Sequence, residues 1–512
     1  MPSNLLLGSS LFLGLSAAVL YFLPRDAHRS KLPLPPGPQK LPFIGNLGDI
    51  HGKRIWEACV EWSRKYDSDI IHLDLAGTSF VVLSSLEATE DLLEKRSSIY
   101  SDRPTFAMYD LMGWSFILTL IKYGDAWRTQ RRLFNQQLNI NASHSFQPQE
   151  RFAAHSLLRR LLETPNDHMQ HLRSMGAETI IPITYGLDIQ PSDDPYVDLA
   201  ERALHYVNLG ISGRFLVDFL PFLKHVPEWV PGAGFQKMAR KGRKLAEAFR
   251  DVPFEETKRQ MVSGVPRPSF TANCLRDLEV GERYYDESTV KDVAAVMYAG
   301  GVDTTVAALT TFFLAMLASP ESQKKAQAEI DAAIGHGCLP DFDDQEAMPY
   351  VSALVKEVMR WGPVAPFGAP HLVAVEDEYR GYRIPANSTV IGNVWAILHD
   401  EKTYPDPLTF KPERFLLDGK PNPLVKDPQA AFGFGRRICP GKHLASSTLW
   451  ITIASVLAVF DLTKKVGEDG KVIEPSYEYD HGIVSAPVPF ACDIRPRSDT
   501  TARLVQGISA EL

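Results

Sequence analysis

The segment Phe432-Gly-Phe-Gly-Arg-Arg-Ile-Cys-Pro-Gly441 places one cysteine, Cys439, in a turn that is rich in glycine. Glycine permits backbone angles and a close approach to a ligand that a side chain would forbid. Arg436 and Arg437 precede the sulfur and are expected to favour its thiolate form. The apolar run from Leu444 to Leu462 predicts a helix whose amino end adds positive dipole near the sulfur. The segment therefore predicts a loop that presents a sulfur anion to a large, flat ligand.

The residues around this cysteine resemble the haem-binding signature of the cytochrome P-450 family, Phe-x-x-Gly-x-Arg-x-Cys-x-Gly, at every fixed position. The resemblance implies that Cys439 is the axial ligand of a haem iron, with Phe432 and Arg437 among the cofactor-binding residues. A thiolate ligand pushes electron density onto the iron and favours cleavage of the O–O bond. The alternatives are an ordinary half-buried cysteine and a dinucleotide-binding loop. Ile438 argues against the dinucleotide loop, because it occupies the third glycine position of that motif.

A second motif, Gly300-Gly301-Val302-Asp303-Thr304-Thr305, lies within an apolar stretch from about 290 to 317 that predicts a long buried helix. Adjacent glycines inside a helix cost about 1 kcal/mol each relative to alanine, and such unfavourable choices indicate function. A close contact between crossing helices, with a satisfied polar pair, is the alternative. The resemblance implies instead that the glycines Gly300 and Gly301 leave room for dioxygen and that Asp303 and Thr304 deliver protons.

Three charged residues are expected to support the cysteine loop. Glu357 and Arg360 alone are an ordinary i,i+3 ion pair on a helix. The pair becomes informative together with Arg414 in Pro412-Glu-Arg-Phe415, further along the chain. The resemblance implies that the three residues form one buried cluster beneath the haem, with a structural rather than a catalytic role.

The haem propionates need cationic or hydrogen-bonding partners. Trp127 and Arg131 are four residues apart and share one face of a predicted helix, an arrangement similar to the family's Trp-x-x-x-Arg propionate contact. The resemblance adds Arg437 and His371 to the same set. Arginine suits carboxylates because its planar fork binds them bidentately. For His371, a satisfied surface histidine is the alternative.

The amino-terminal region predicts a membrane anchor. Leu5 to Leu23 carry no charge and span roughly 28 Å as a helix, close to the thickness of a hydrocarbon core. Arg25, Arg29 and Lys31 follow this run, which places the rest of the chain in the cytosol. A cleaved signal peptide is the competing interpretation. We expect an anchor at 1–24, a basic, proline-rich hinge at 25–45 and the catalytic domain at 46–512. The resemblance to microsomal members implies a single-pass protein of the endoplasmic reticulum membrane.

Composition and periodicity limit the possible fold classes and functions. The 512 residues are 45% hydrophobic, which supplies a large core, and the net charge of −8 without a basic stripe argues against nucleic-acid binding. The five cysteines include no Cys-x-x-Cys and fit a reducing compartment. Helical patterns dominate, and Ser319-Pro-Glu321 predicts a helix start. Strand-like segments occur at Ile70–Leu75, Phe80–Leu83 and around Val390. The resemblance implies a mainly α fold, a helical prism with a small β-rich lobe.

No nicotinamide or flavin motif occurs in the chain, and the resemblance implies that NADPH–cytochrome P-450 reductase supplies the electrons. We expect Arg436 and Lys442, together with Arg128 or Arg132, to lie on the thiolate side of the haem and to help dock it. An ordinary solvated face is the alternative. Substrate contacts are expected from apolar segments between the motifs, which suit a lipophilic molecule: Phe106, Met108, Leu111, Trp114, Phe116, Val364 to Phe367, and Ile483 with Val484. An aromatic stripe that packs in the core is the alternative.

The predicted reaction is insertion of one oxygen atom from O2 into a lipophilic small molecule, with water as the second product. The residues of these motifs most resemble those of fungal members of the family. Those members modify terpenoids, polyketides or indole alkaloids, or oxidise foreign aromatics. A haem-thiolate isomerase or dehydratase needing no outside electrons is the rival. Asp303 and Thr304 argue against it, because that chemistry needs no proton relay to dioxygen. A non-catalytic haem-binding membrane protein is the third possibility.

Overall fold

The computed structural model describes residues 31–50, 54–190, 193–211, 215–264, 266–281 and 284–508. The predicted membrane anchor at 1–24 and the first part of the predicted hinge lie outside these residues. The described chain is mainly helical with small sheets, as the sequence predicted. Its helices are α1 Leu47–Ile50, α2 Ile55–Tyr66, α3 Leu86–Thr89, α4 Ser97–Tyr100, α5 Ala107–Leu111, α6 Asp125–Gln137, α7 Ile140–Ser143, α8 Gln147–Glu163, α9 His168–Tyr185, α10 Pro195–Ile211, α11 Leu216–Phe219, α12 Gly234–Val262, α13 Phe270–Glu279, α14 Glu287–Ala318, α15 Pro320–Ile334, α16 Pro349–Trp361, α17 Val394–Leu398, α18 Lys442–Val459 and α19 Asp499–Gln506.

Helix α14 is the central element, and it covers the whole stretch that the sequence predicted. It begins at a capped end, where the Asp286 side chain accepts a hydrogen bond from the Thr289 N–H at 2.8 Å. Its residues are apolar all round, which requires burial on every side, and it packs against α6, α9, α12, α13, α16 and α18. By length and composition α14 and α18 could each cross a membrane. Their apolar windows are, however, 67% and 72% buried by protein, as is usual for core helices.

Helix α18 begins directly after the cysteine loop, two residues earlier than predicted, and ends three residues earlier. Its predicted last turn belongs instead to a strand, β9 Phe460–Lys464, which pairs antiparallel with β10 Cys492–Pro496. The inner residues of β9 alternate with exposed ones, Phe460 and Leu462 being buried and Asp461 and Thr463 exposed. This pairing to a distant segment outcompeted continuation of the helix, which the local sequence alone could not indicate.

The β-rich lobe contains the strand segments that the sequence predicted. Its four-stranded sheet has the order β1-β2-β6-β3, and the β2–β6 pair is parallel. The hairpin between β1 and β2 turns at Ala76 and Gly77, which both have positive φ, the requirement of a tight two-residue turn. The strands before β9 are β1 Ile70–Leu75, β2 Thr78–Leu83, β3 His371–Leu372, β4 Asp377–Tyr379, β5 Tyr382–Ile384, β6 Thr389–Gly392, β7 Leu416–Leu417 and β8 Lys420–Pro421.

The helix start predicted at Ser319 is confirmed in position, but the Ser319 side chain does not cap the helix. Pro320 is the first residue of α15, as expected. The Ser319 hydroxyl, however, makes no capping bond to a backbone N–H and lies 2.9 Å from the Ser322 hydroxyl instead.

Candidate active site

The cysteine loop is shaped by two glycines in the left-handed region. Gly433 and Gly435 have φ of 80° and 56°, and the Cys439 N–H closes the loop by donating to the Phe432 carbonyl at 2.8 Å. A Cβ at Gly435 would lie 2.0 Å from the Leu93 carbonyl oxygen. Leu93 belongs to a π-helical turn, Glu90–Lys95. No side chain fits there, so the cysteine loop packs directly on the backbone of residues 90–95. Sequence reasoning missed this contact.

The electrostatic setting of the sulfur differs from the expectation. Burial raises the pKa of the Cys439 thiol, and the Gly441 backbone N–H, Arg131 and Lys442 offset this rise only in part. Arg436 and Arg437, which were expected to favour the thiolate, are not among the groups that lower the thiol pKa. Arg436 binds the Tyr123 hydroxyl and Arg437 binds backbone carbonyls. Metal coordination deprotonates a thiol outright. A buried sulfur with a raised pKa therefore suits a metal ligand better than a free nucleophile.

Arg131 reaches the cysteine loop from helix α6. Its guanidinium donates to the carbonyl of Ile438, the residue before the cysteine. Trp127, one turn earlier on the same face, has the Arg437 guanidinium stacked 4.6 Å from its ring. The structure thus brings Arg437 beside Trp127 and Arg131, which lie about 300 residues earlier in the sequence.

Arg437 is held by three backbone carbonyls. Its Nε donates to Ser101 at 2.8 Å, Nη1 to Leu118 at 3.1 Å and Nη2 to Ile121 at 2.8 Å. Burial lowers the pKa of Arg437 to about 10. The guanidinium carries five N–H donors, so two remain for a further acceptor.

His371 is buried, which excludes the surface-histidine alternative. Its Nδ1 lies 2.8 Å from the Tyr100 carbonyl, so this nitrogen carries the hydrogen. Burial, together with Arg103 and Arg437, holds the pKa of His371 well below its usual range. The ring is therefore neutral.

Arg103 belongs to the same group and was missed. It is 2% exposed and donates through Nη1 to the carbonyls of Ala369, at 3.0 Å, and Pro370. Burial and the nearby Arg437 lower the pKa of Arg103 to about 9. An arginine after an aspartate in a loop carries no local signal, because only the fold brings it beside His371.

These residues fit a cofactor that carries carboxylates. Trp127 Nε1 and Arg103 Nε are buried and have no hydrogen-bond partner among the described residues. A buried, unsatisfied donor costs about 1–3 kcal/mol. Two such donors beside the cations Arg437 and Arg131 therefore need an anionic acceptor, and the propionates of haem have that chemistry.

On helix α14 the two glycines have different surroundings. A Cβ at Gly301 would lie 2.6 Å from Ile180 Cγ1 of α9, so Gly301 serves the helix crossing. A Cβ at Gly300 would meet nothing within 4 Å in the described part of the chain. The helix-crossing interpretation therefore holds at Gly301, where Ile180 fills the space, and the role of Gly300 in leaving room for dioxygen stays a prediction.

The polar pair follows directly on the same helix. The Thr304 hydroxyl donates to the Gly300 carbonyl at 2.6 Å, which satisfies it within an unbroken helix. Burial raises the pKa of the Asp303 carboxyl, Arg173 lowers it and Glu201 raises it. Asp303 is thus an acid in a partly desolvated setting, with a cation and an anion of other helices nearby, and can exchange protons.

The predicted support cluster is assembled and saturated. Arg360 binds Glu357 through Nε at 2.7 Å and Nη2 at 2.8 Å, and Arg414 Nε lies 3.1 Å from Glu357 Oε2. The Lys411 backbone N–H donates to the same carboxylate at 2.8 Å. The remaining N–H groups reach carbonyls, including those of Leu398 and Pro405. Such saturation is what a buried ion cluster requires.

The predicted substrate segments fall into two groups. The Ser485 N–H donates to the Val364 carbonyl at 2.8 Å, which joins the segment after α16 to the carboxy-terminal one. Trp114 is fully buried, with its ring 5.6 Å from that of Phe249 on α12. Trp114 therefore packs against α12.

The predicted docking cations differ in their partners. Arg128 pairs with Asp125 at 2.6 Å, and Arg132 stacks on Tyr284 at 4.0 Å. A groove of about 480 Å³ runs along α6; its lining residues are Trp127, Arg128, Arg131, Arg132, Asn135, Gln136 and Asn139.

Comparison with known proteins matches this geometry to one family. A sequence profile of the family described as cytochrome P-450 matches residues 35–492. The chain is 46% identical over 483 residues to a cytochrome P-450 monooxygenase of Rhodocybe pseudopiperita, covering 93% of this chain and 92% of that protein. It is 44% identical over 514 residues to a cytochrome P-450 monooxygenase of Postia placenta, covering 99% of each. It is 40% identical over 501 residues to the tryptamine 4-monooxygenase of Psilocybe cyanescens, covering 96% of this chain and 98% of that protein.

Proposed function

Because this chain belongs to the cytochrome P-450 family of haem-binding oxidoreductases, we propose that it inserts one oxygen atom from O2 into a neutral, lipophilic small molecule. The observation that carries the proposal is the Gly300–Asp303–Thr304 arrangement on α14. Open space at Gly300 lies one helical turn from a hydroxyl and next to an acid whose pKa burial raises. Haem, when bound, supplies oxygen activation, and a thiolate ligand favours O–O cleavage.

The chain's own residues have three tasks in this reaction. Cys439 would hold the iron, and Trp127, Arg131, Arg437 and Arg103 would orient the cofactor through its carboxylates. His371 would join them once protonated, because only then can its Nε2 donate to a carboxylate while Nδ1 donates to Tyr100. Asp303 takes protons from outside, and Thr304 passes them on through its hydroxyl, whose hydrogen bond to the Gly300 carbonyl keeps it in place. Glu357, Arg360 and Arg414 stiffen the support of the cysteine loop.

A neutral substrate is favoured by the predicted pocket segments. The side chains of Phe106, Met108, Leu111, Trp114 and Phe116, and those of Val364–Phe367, are apolar. A cationic substrate would need a carboxylate partner, because an unpaired charge is costly to desolvate. One relative is named for tryptamine, an amine, so tryptamine belongs in the substrate panel beside neutral terpenes and aromatics.

The test reconstitutes the enzyme with NADPH–cytochrome P-450 reductase and follows NADPH, O2 and product. Wild-type protein should convert at least one neutral lipophilic compound only when NADPH and reductase are present. Asp303→Asn should slow product formation by roughly 10²-fold, while haem content stays unchanged. Turnover without NADPH would support the isomerase or dehydratase instead. The absence of a ligand-induced spin change with every compound would support a non-catalytic haem protein.

The same proposal includes electron delivery at the thiolate side of the haem. Arg131 and Lys442 are the cations that act on the sulfur, and Arg436, Arg128 and Arg132 are proposed to extend this positive area toward an acidic reductase surface. Salt screens such attraction. Coupling to the reductase should therefore weaken as ionic strength rises, and salt-independent turnover would contradict electrostatic docking.

We further propose that residues 1–24 anchor the protein in the endoplasmic reticulum membrane with the catalytic domain in the cytosol. Exposed apolar side chains support membrane contact: Phe43 is 86% and Trp229 is 82% exposed. Phe219 of α11 and Leu47 of α1 pack against the same buried cluster, so the segment before Trp229 and the segment after Phe43 meet there.

Glycosylation tests this topology. The sequons at Asn141 and Asn387 carry exposed asparagines that an oligosaccharyltransferase could reach in the lumen. Protein made in yeast should stay in the membrane after carbonate extraction and carry no sugar at either site. Sugar at either asparagine would place the domain in the lumen and contradict the proposal.

A further inference from the structure

The amino end of helix α18 supplies two of the three groups that lower the pKa of the Cys439 thiol. Gly441 is the residue before the helix, and its backbone N–H donates to the sulfur. Lys442, the first helical residue, acts on the sulfur through its charge. The Ala445 N–H donates to the Gly441 carbonyl at 2.9 Å and so joins this cap to the helix. A contact that fixes the position of α18 therefore also fixes the Gly441 N–H against the sulfur.

Apolar packing alone does not give α18 a defined rotation about its axis. The helix is buried over most of its length and packs against α8, α14, α15 and α16, but hydrophobic contact has no preferred direction. Hydrogen bonds do have one. Among the residues that the structure describes, the side chains of α18 make hydrogen bonds at one place only, where Ser447 and Thr448 bind Glu150 of α8.

Glu150 is a carboxyl with no exposed surface that binds one helix through both of its oxygens. The Ser447 hydroxyl donates to Oε2 at 2.8 Å and the Thr448 hydroxyl donates to Oε1 at 2.6 Å. Burial raises the pKa of Glu150 to about 7, and the two hydroxyls offset this rise only in part. No charged side chain of the described residues contributes to the shift. Burial of an acid without an ion partner is costly, and such costs are typical of functional sites.

We propose that Glu150 is a positioning residue for the iron ligand: it holds α18 through Ser447 and Thr448, so that the Gly441 N–H stays directed at the Cys439 sulfur. The inference rests on the proposed function only in that Cys439 is taken as the ligand of the haem iron. Hydrogen bonding around a ligand is one of the means by which a protein sets the potential of haem iron. Loss of the Glu150 contact should leave the sulfur a stronger electron donor, and should therefore lower the reduction potential.

The test uses the holoenzyme and two measurements. Redox titration gives the reduction potential of the iron. The rate at which the reduced carbon monoxide complex loses its red-shifted Soret band gives the stability of thiolate ligation. Glu150→Ala should lower the potential and speed the loss of the band by about tenfold, the equivalent of two hydrogen bonds. Glu150→Gln should restore both values, because the amide can accept from one hydroxyl and donate to the other.

Thr448→Val and Thr452→Val form a matched pair. Both threonines are buried in α18, but only Thr448 binds Glu150, whereas the Thr452 hydroxyl has no partner among the described residues. Thr448→Val should lower the potential and speed the loss of the band by about threefold, the equivalent of one hydrogen bond. Thr452→Val should change neither value. Because only a hydroxyl is removed, Thr448→Val decides the question if Glu150→Ala fails to incorporate haem.

Glu178→Gln controls for a general loss of stability. Glu178 of α9 is another buried carboxyl that binds α8, where Arg160 Nη1 donates to it at 3.0 Å. This variant should unfold at a lower denaturant concentration and keep the wild-type potential.

Three results would overturn the proposal. They are an unchanged potential in Thr448→Val, equal shifts in Thr448→Val and Thr452→Val, and a Glu150→Gln variant that behaves as Glu150→Ala. Neither measurement needs turnover, so failure of the proposed oxygen insertion would not change what they decide.

Discussion

Two carboxylates, Glu357 and Asp218, join distant segments in opposite ways. Glu357 is fully buried and receives N–H groups from Arg360, Arg414 and the Lys411 backbone. Asp218 is half-buried, has no cation among its hydrogen-bond partners in the described chain, and leaves one oxygen without a donor. The first arrangement fixes the support of the cysteine loop. The second joins α11 to the start of α5 through backbone N–H donation, so the same residue type joins distant segments with and without charged partners.

The largest effect on the rigid side is expected at the sulfur itself. Cys439→Ala should abolish the red-shifted Soret band of the reduced carbon monoxide complex, because an alanine cannot donate a thiolate to iron. The absorbance spectrum of purified protein measures this directly. Cys338→Ala, at an exposed cysteine, is the control and should keep the band. A persistent band in Cys439→Ala would remove the basis of the haem-thiolate assignment.

Breaking the support cluster should come next. Glu357→Gln leaves Arg360 and Arg414 buried without their anion, and should lower the free energy of unfolding by about 3–5 kcal/mol. Denaturant unfolding followed through the haem absorbance measures the change. Glu321→Gln disrupts only an exposed pair with Lys324 and should cost less than about 1 kcal/mol. Equal losses in the two variants would show that the cluster is no more than a surface pair.

The two glycines of α14 should respond with opposite signs. Gly301→Ala forces a Cβ against Ile180 and should destabilise the fold by about 1–3 kcal/mol. Gly300→Ala meets no described atom, and should stabilise the helix by up to about 1 kcal/mol through helix propensity, yet lower turnover by narrowing the space above it. Thermal unfolding and product formation together separate the effects. Stabilised Gly300→Ala protein with full activity would contradict the role of Gly300 in oxygen access.

The smallest effect is expected from one indole nitrogen. Trp127→Phe removes the unsatisfied Nε1 donor and should speed haem transfer to an excess of apomyoglobin by roughly fivefold, about 1 kcal/mol. Trp114→Phe is matched, because its Nε1 is equally buried and without a partner among the described residues, but it lies against α12. It should leave the rate unchanged, and equal acceleration in both variants would argue against a propionate contact at Trp127.

The sequence predicted those features of the fold and the site that are carried by sequence motifs. The cysteine loop and the Glu357 pair with its distant Arg414 were indicated by motifs that resemble those of a known family, and the long helix around Gly300 was indicated by its apolar run. Contacts that arise only from folding were missed. Arg103 has no motif, and the approach of Leu93 to Gly435 depends on a π-helical turn 340 residues away. The cations acting on the sulfur were misassigned for the same reason, since adjacency along the chain does not fix where a side chain points.

The loop of residues 102–123 is closed by one Asp102 oxygen, which accepts the N–H groups of Arg103 and Tyr123, and this closure has a consequence for engineering. Its two ends meet at one carboxylate, so the interior can change in length or composition without shifting the chain on either side, and each doubling of loop length costs only about 0.6 kcal/mol of closure entropy. Segments of the fungal relatives exchanged between Pro104 and Ile117 would form an interchangeable cassette for redesigning selectivity, because Arg103 and the Leu118 and Ile121 carbonyls that hold Arg437 stay in place.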